Sequence, residues 1–138
     1  MPTTSHTVQP LRPGGAETVE VDHNTYCAIQ YDFFIPGAIW DHSAVRNFRS
    51  ELQSVEASAT IFTGATGIWE GSSEITHIYR MILRADRFSR ANVRDVLHSR
   101  IGSVYAQLTT WTESTQQAIM FTETETMVSM SERHAGGS

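Results

Sequence analysis

Hydrophobic and polar positions alternate with period two from Asn24 to Ile35. Cys27, Ile29, Tyr31, Phe33 and Ile35 fall on one side, and Ala28, Gln30 and Asp32 on the other. That pattern predicts a half-buried first strand, which Pro36-Gly37 stops. Phe34 interrupts the polar side. The period then lengthens. Val45, Phe48, Leu52 and Val55 make one stripe of a helix over Asp41–Ala57, with Asp41 or Ser43 as cap. A second strand is expected at Ala59–Thr63 and a third at Ile75–Leu83. The third carries bulk on both faces: Ile75, Tyr79, Met81 and Leu83 on one, Ile78 and Ile82 on the other. Such a strand is central in its sheet or buried at a subunit contact, although Arg80 and Arg84 show that one face is not simply core.

A second helix follows over Ser89–Leu108, capped by Ser89. Its stripe runs through Val93, Val96, Leu97, Ile101, Val104, Tyr105 and Leu108. Gly102 weakens it by roughly 1 kcal/mol relative to Ala, which suggests a close helix–sheet contact there. Thr115–Thr122 supplies a fourth strand and Met127–Met130 a short fifth. Residues 1–22, with Pro2, Pro10, Pro13 and Gly14-Gly15, read as a disordered arm. Residues 23–131 form one domain, and 132–138 a flexible tail. The fold class is therefore α+β: a ferredoxin-like βαββαβ sandwich, with a four- or five-stranded antiparallel sheet and two helices on one face. The other face keeps Phe34, Ile78, Ile82, Ile119 and Phe121. That is too much apolar area for water, so a homo-oligomer is expected.

Composition narrows the chemistry. With 138 residues and 40% hydrophobic content, the chain suits one soluble domain. The net charge is −5 and every cation is arginine. No basic stripe interleaved with aromatics appears, so nucleic acid is not an expected partner. A lone cysteine, Cys27, excludes an internal disulfide. The absence of long apolar runs argues against a membrane span, and the N-terminus lacks the pattern of a secretory signal, so the default location is cytoplasmic. Six histidines without paired spacing give no zinc site, and no metal or cofactor is expected.

The most unusual composition lies in Thr60–Glu74, where three glycines, a tryptophan and two carboxylates meet. Gly64-Ala65-Thr66-Gly67 resembles a phosphate loop only faintly. It lacks the lysine ending and opens no helix. Its glycines instead suit a positive φ or a bulge beside a hairpin. Trp69 either caps the core or walls a site. Glu70 and Glu74 either lie in a solvated turn or present a carboxylate to a cation or act as a base. Thr122-Glu123-Thr124-Glu125 reads as a solvated connection, or as a polar rim.

Together the strand Tyr26–Ile35, the Gly67-Ile68-Trp69-Glu70-Gly71 turn and the Thr115–Glu123 segment resemble the small phage-encoded S-adenosylmethionine lyases, long called SAM hydrolases. The match covers Asn24 to Met130 in layout and about twenty-five residues in motif. It implies a cofactor-free reaction, in which the ligand's carboxylate attacks its own γ-carbon and releases 5′-methylthioadenosine and homoserine lactone. The protein's task is then to fold the ligand into attack geometry and exclude water. The resemblance implies catalytic roles for Glu70 and Glu74, ligand contacts from Phe62, Gly67, Trp69 and Phe34, and sites between the subunits of a trimer. Family members use a tyrosine in the site, yet none lies between Tyr31 and Tyr79 here. The alternative is a non-catalytic phage or bacterial module of the same fold that binds a small ligand or inhibits a host enzyme. A dimeric α+β-barrel acting on small aromatic compounds is a weaker third reading.

Overall fold

A computed structural model describes residues 4–8, 19–108 and 119–133. Its order is β1 (Thr4–Val8), β2 (Val19–Pro36), α1 (Gly37–Trp40), α2 (Ser43–Val55), β3 (Thr60–Trp69), β4 (Ser72–Arg84), α3 (Arg90–Gln107) and β5 (Met120–Arg133). Strands β5, β2, β4 and β3 lie side by side, all antiparallel. From β2 onward this is the expected βαββαβ sandwich. The eighteen-residue β2 is its spine. β5 runs along one edge of it, from Val21 to Phe34. β4 takes the other edge from Ala28 to Pro36.

The core lies between this sheet and the helices. Ile29, Tyr31, Phe33 and Ile35 of β2 and Tyr79, Met81 and Leu83 of β4 meet Val45, Phe48 and Leu52 of α2 and Leu97, Ile101 and Val104 of α3. Both alternations predicted these sides. Aromatic packing ties the layers together: the Phe33 ring lies 5.5 Å from Phe48, edge on.

Several boundaries differ from the sequence reading, each for a local reason. The arm expected to be disordered contributes β1, which pairs Thr4–Val8 with Val19–His23; residues 9–18 lie outside the described residues. The β-branched alternation of Val19 and Val21 simply continues β2 backward. α2 begins two residues later than expected, because His42 is its cap: its Nδ1 accepts the Ala44 N–H at 3.0 Å. The expected fourth and fifth strands are one strand. Thr122, Thr124 and Thr126 favour extended chain, so Thr122–Glu125 is mid-strand and not a connection. Residues 115–118 and 134–138 lie outside the described residues, while Glu132 and Arg133 finish β5.

Three packing expectations are corrected. Phe121 pairs with Phe33 in register, so it faces the helices, as does the buried Ile119. The open face instead carries Met120 beside Phe34 and Ile78. Gly102 has no heavy atom within 4 Å of where a Cβ would stand, so no close helix contact explains it. Cys27 is exposed despite its place in the apolar alternation, and so is Met127, its partner on β5. Among the described residues, no helix is long and apolar enough to cross a membrane.

Candidate functional site

The hairpin β3–β4 is joined by Glu70 and Gly71, with φ of 48° and 82°. Two successive left-handed residues make the tight primed turn that suits the twist of paired strands. Gly71 fills its position without strain, whereas Glu70 does so against its Cβ. Lower in the hairpin the register slips between Phe62 and Ala65, and Gly64 sits there with φ 76°. This is a bulge, as the glycine spacing suggested. It turns the Gly64 N–H toward the His77 Nδ1, which accepts it at 3.1 Å.

The bulge shapes an open cleft of about 560 Å³ bordered by Thr63, Gly64, Glu74, Ile75 and His77, with Gly37 and Ala38 opposite. Gly37 fits closely there: a Cβ would meet the Ile75 Cγ2 at 3.0 Å and the Ile75 carbonyl oxygen at 3.1 Å, so the neighbour would have to give way. Behind the cleft the Trp40 ring lies 4.9 Å from His77, and the Arg49 guanidinium lies 3.8 Å over Trp40. The cleft is thus mostly apolar, with Glu74 and His77 as its polar side chains besides Thr63, and aromatic behind it. Beyond Pro36 and Thr76, where β2 stops pairing with β4, residues Thr66–Ile75 extend as a two-stranded arm. Ile68 and Ile75 share one face of this arm and are 72% and 62% exposed.

The sheet's open face carries the other expected residues. Phe34, Ile78 and Phe62 stand in one row across β2, β4 and β3. One step along β4, Arg80 grips Asp32 with two bonds, of 2.8 and 2.9 Å. Its guanidinium also lies 5.0 Å from the Phe62 ring centre. Asp32 is only 8% exposed, so the pair is partly desolvated and held by geometry on the flank of a hydrophobic row. Arg80 was visible in the sequence as an anomaly, but its partner was not.

The expected site residues therefore separate into two groups. Phe34 and Phe62 belong to the open-face row. Gly67 and Glu74 pair with each other in the arm, Trp69 pairs with Ser72, and Glu70 is exposed in the turn. Ser72 stands six residues along β4 from Ile78, roughly 20 Å at the rise of a strand. Within one chain the arm's tip and the aromatic row do not share a site. Among the described residues, no cluster of three His, Cys, Asp or Glu side chains could hold a metal ion.

A third constellation was missed. The Glu123 side chain, 10% exposed, accepts from Tyr31 Oη at 2.8 Å, from Arg94 at 2.7 Å and from Arg90 at 2.9 Å. Arg90 also pairs with Glu125. Arg94, then Tyr31 and Arg90, hold the Glu123 carboxyl down at about 2 despite its burial. Burial first, and Glu123 second, push the Tyr31 phenol well above its ordinary value. The cluster ties the start of α3 to β5. Cations at a helix start oppose its dipole, and the two glutamates offset them. The signal was present in the sequence: Phe121, Glu123 and Glu125 alternate with threonines.

No family model matches the sequence, and no curated protein matches it. Among solved structures, the fold is similar to CPII, a nitrogen regulatory PII-like protein from Thiomonas intermedia K12. Its complex with ADP, AMP and bicarbonate is 10% identical at a TM-score of 0.42, covering 76% of this chain and 96% of CPII. The apo form is 10% identical at 0.43, covering 78% and 98%. The similarity of this chain to PII-like proteins is one of fold, and distant.

Proposed function

We propose that the protein is a small-ligand-binding module that works as a homo-oligomer, with a trimer favoured and S-adenosylmethionine as the leading ligand. The observation that carries this reading is the arm. It extends past the end of β2 and holds Ile68 and Ile75 mostly in water. An apolar face of that kind beside a largely apolar cleft is a surface for a neighbouring copy to cover, and that contact completes the site. The arm's other face carries Gly67 and Glu74, with Glu70 at its turn, and in the assembly these residues meet Phe34 and Phe62 of a neighbouring copy. Aromatic faces and carboxylates together suit a sulfonium or ammonium group.

The lyase is the second reading. It is favoured by one feature: Glu74, Phe62 and Phe34 lie on the same side of the sheet by their pairing. In that reading Glu70 and Glu74 hold the ligand's ammonium and ribose. The ligand's own carboxylate then forms the new C–O bond as the C–S bond breaks, and the sulfur leaves as neutral methylthioadenosine. A carboxylate held against the sulfonium would favour the charged ground state, so it does not belong there.

Titration calorimetry with S-adenosylmethionine, followed by chromatography of the mixture, tests both. Binding with the ligand recovered intact supports the module. Release of methylthioadenosine above the uncatalysed rate moves the conclusion to the lyase. No heat and no product, with ADP and AMP equally silent, removes the adenosyl ligand from the account.

A further inference from the structure

A second concave surface lies between α2 and α3, away from the hairpin. Its volume is about 480 Å³, within the range of small-molecule sites, roughly 300–1,000 Å³. Met81 and Leu83 of β4 form part of its lining and are buried from solvent. Val55 and Val96 also line it, yet they are 50% and 54% exposed. Both belong to helix stripes that should be covered, so the helices leave an apolar mouth open between them.

The charges at this mouth are asymmetric. Glu51 is paired with Arg100 at 3.2 Å. Arg87 lines the groove and forms no salt bridge among the described residues. Ser89, also in the lining, precedes α3 in extended conformation and makes no side-chain capping bond. The first N–H groups of α3 therefore lack the acceptor that a capping serine supplies. The groove thus offers an apolar slot, a cation whose neighbouring carboxylate, Asp86, is already bonded to Arg84, and a helix start without its cap.

We propose that this groove binds a medium-chain aliphatic carboxylate, a fatty acid or its like. The chain enters between Val55 and Val96, over Met81 and Leu83. The carboxylate sits at Arg87 and the start of α3. An aliphatic amine does not fit, because the carboxylate that could receive it, Glu51, already holds Arg100. This site is separate from the hairpin and stands or falls independently of the proposed function.

Titration calorimetry of the full chain with decanoate tests it, with decylamine as control. Decanoate should bind in the micromolar range, and octanoate roughly tenfold more weakly for its two missing methylenes. Val96→Asp and Arg87→Glu both alter exposed positions, and circular dichroism checks that each retains its helices. Each should weaken decanoate by at least fivefold. Amide chemical-shift mapping on the unaltered protein should place the perturbed residues at Ser54–Val55 and Asn92–Val96. The proposal is overturned by absent binding, by affinity unchanged in Val96→Asp, by decylamine binding as tightly, or by shifts confined to the arm. A second copy covering the groove would appear as absent binding.

Discussion

Tyr31 donates its phenolic hydrogen to Glu123 across the β2–β5 pair, at 2.8 Å. Glu123 also receives Arg90 and Arg94 from α3. One carboxylate therefore joins the central strand, an edge strand and a helix start. Its acidity follows. The folded protein holds it at about 2, below the usual 4.5. Its stabilisation is complete above 4.5 and is lost as pH falls toward 2. Glu123→Gln should cost about 1.5–3 kcal/mol at neutral pH, the scale of hydrogen bonds to a charged group. The gap to the unaltered protein should narrow below pH 4.5 and close near pH 2. Thermal melts across that range check it. A gap that persists undiminished at pH 2 contradicts it.

The glycines make opposite predictions. Gly102 is in the middle of α3, and a Cβ there meets nothing within 4 Å. Gly102→Ala should stabilise the protein by about 0.5–1 kcal/mol. Gly71 has φ 82° in the hairpin turn, so Gly71→Ala should cost about 1 kcal/mol or more although its surroundings are equally empty. Urea titration of both variants decides this. Equal signs would show that the turn or the helix is wrongly understood.

On the open face, Asp32→Asn leaves Arg80 beside a weakened partner. The pair is bidentate and Asp32 is nearly buried, so the loss should be about 1–3 kcal/mol. Replacing both partners with apolar residues of similar size should recover most of it. A double-mutant cycle in urea measures the coupling. A cycle near zero would mean that the two charges ignore each other.

Much of the fold was legible because the core residues repeat at clean periods. Ile29, Tyr31, Phe33 and Ile35 alternate, and Val45, Phe48 and Leu52 step by three and four. Sheet and helix faces followed from those steps alone. What escaped was information held between strands. The partner of Asp32 is Arg80, 48 positions away, and that of Tyr31 is Glu123, 92 positions away. Each residue leaves a trace in the alternation of its own strand, but nothing local names its partner. A strand over Thr115–Thr122 carries no sign of the register that β2 imposes, and only the pairing of Phe121 with Phe33 shows that it faces the helices. The bulge at Gly64 and the turn at Gly71 were visible, since a positive φ favours glycine. The separation of Glu70 from Phe34 and Phe62 was not visible, because it depends on how far the arm extends past β2.

That separation makes assembly the central claim, and native mass spectrometry of the full chain with S-adenosylmethionine tests it most directly. One spectrum gives the number of chains, the number of ligands and the ligand's mass. The account predicts an oligomer, a trimer of the 15.4 kDa chain by preference, carrying ligand of unchanged mass, and dissociation on Ile68→Asp. A single 15.4 kDa chain without ligand would contradict it.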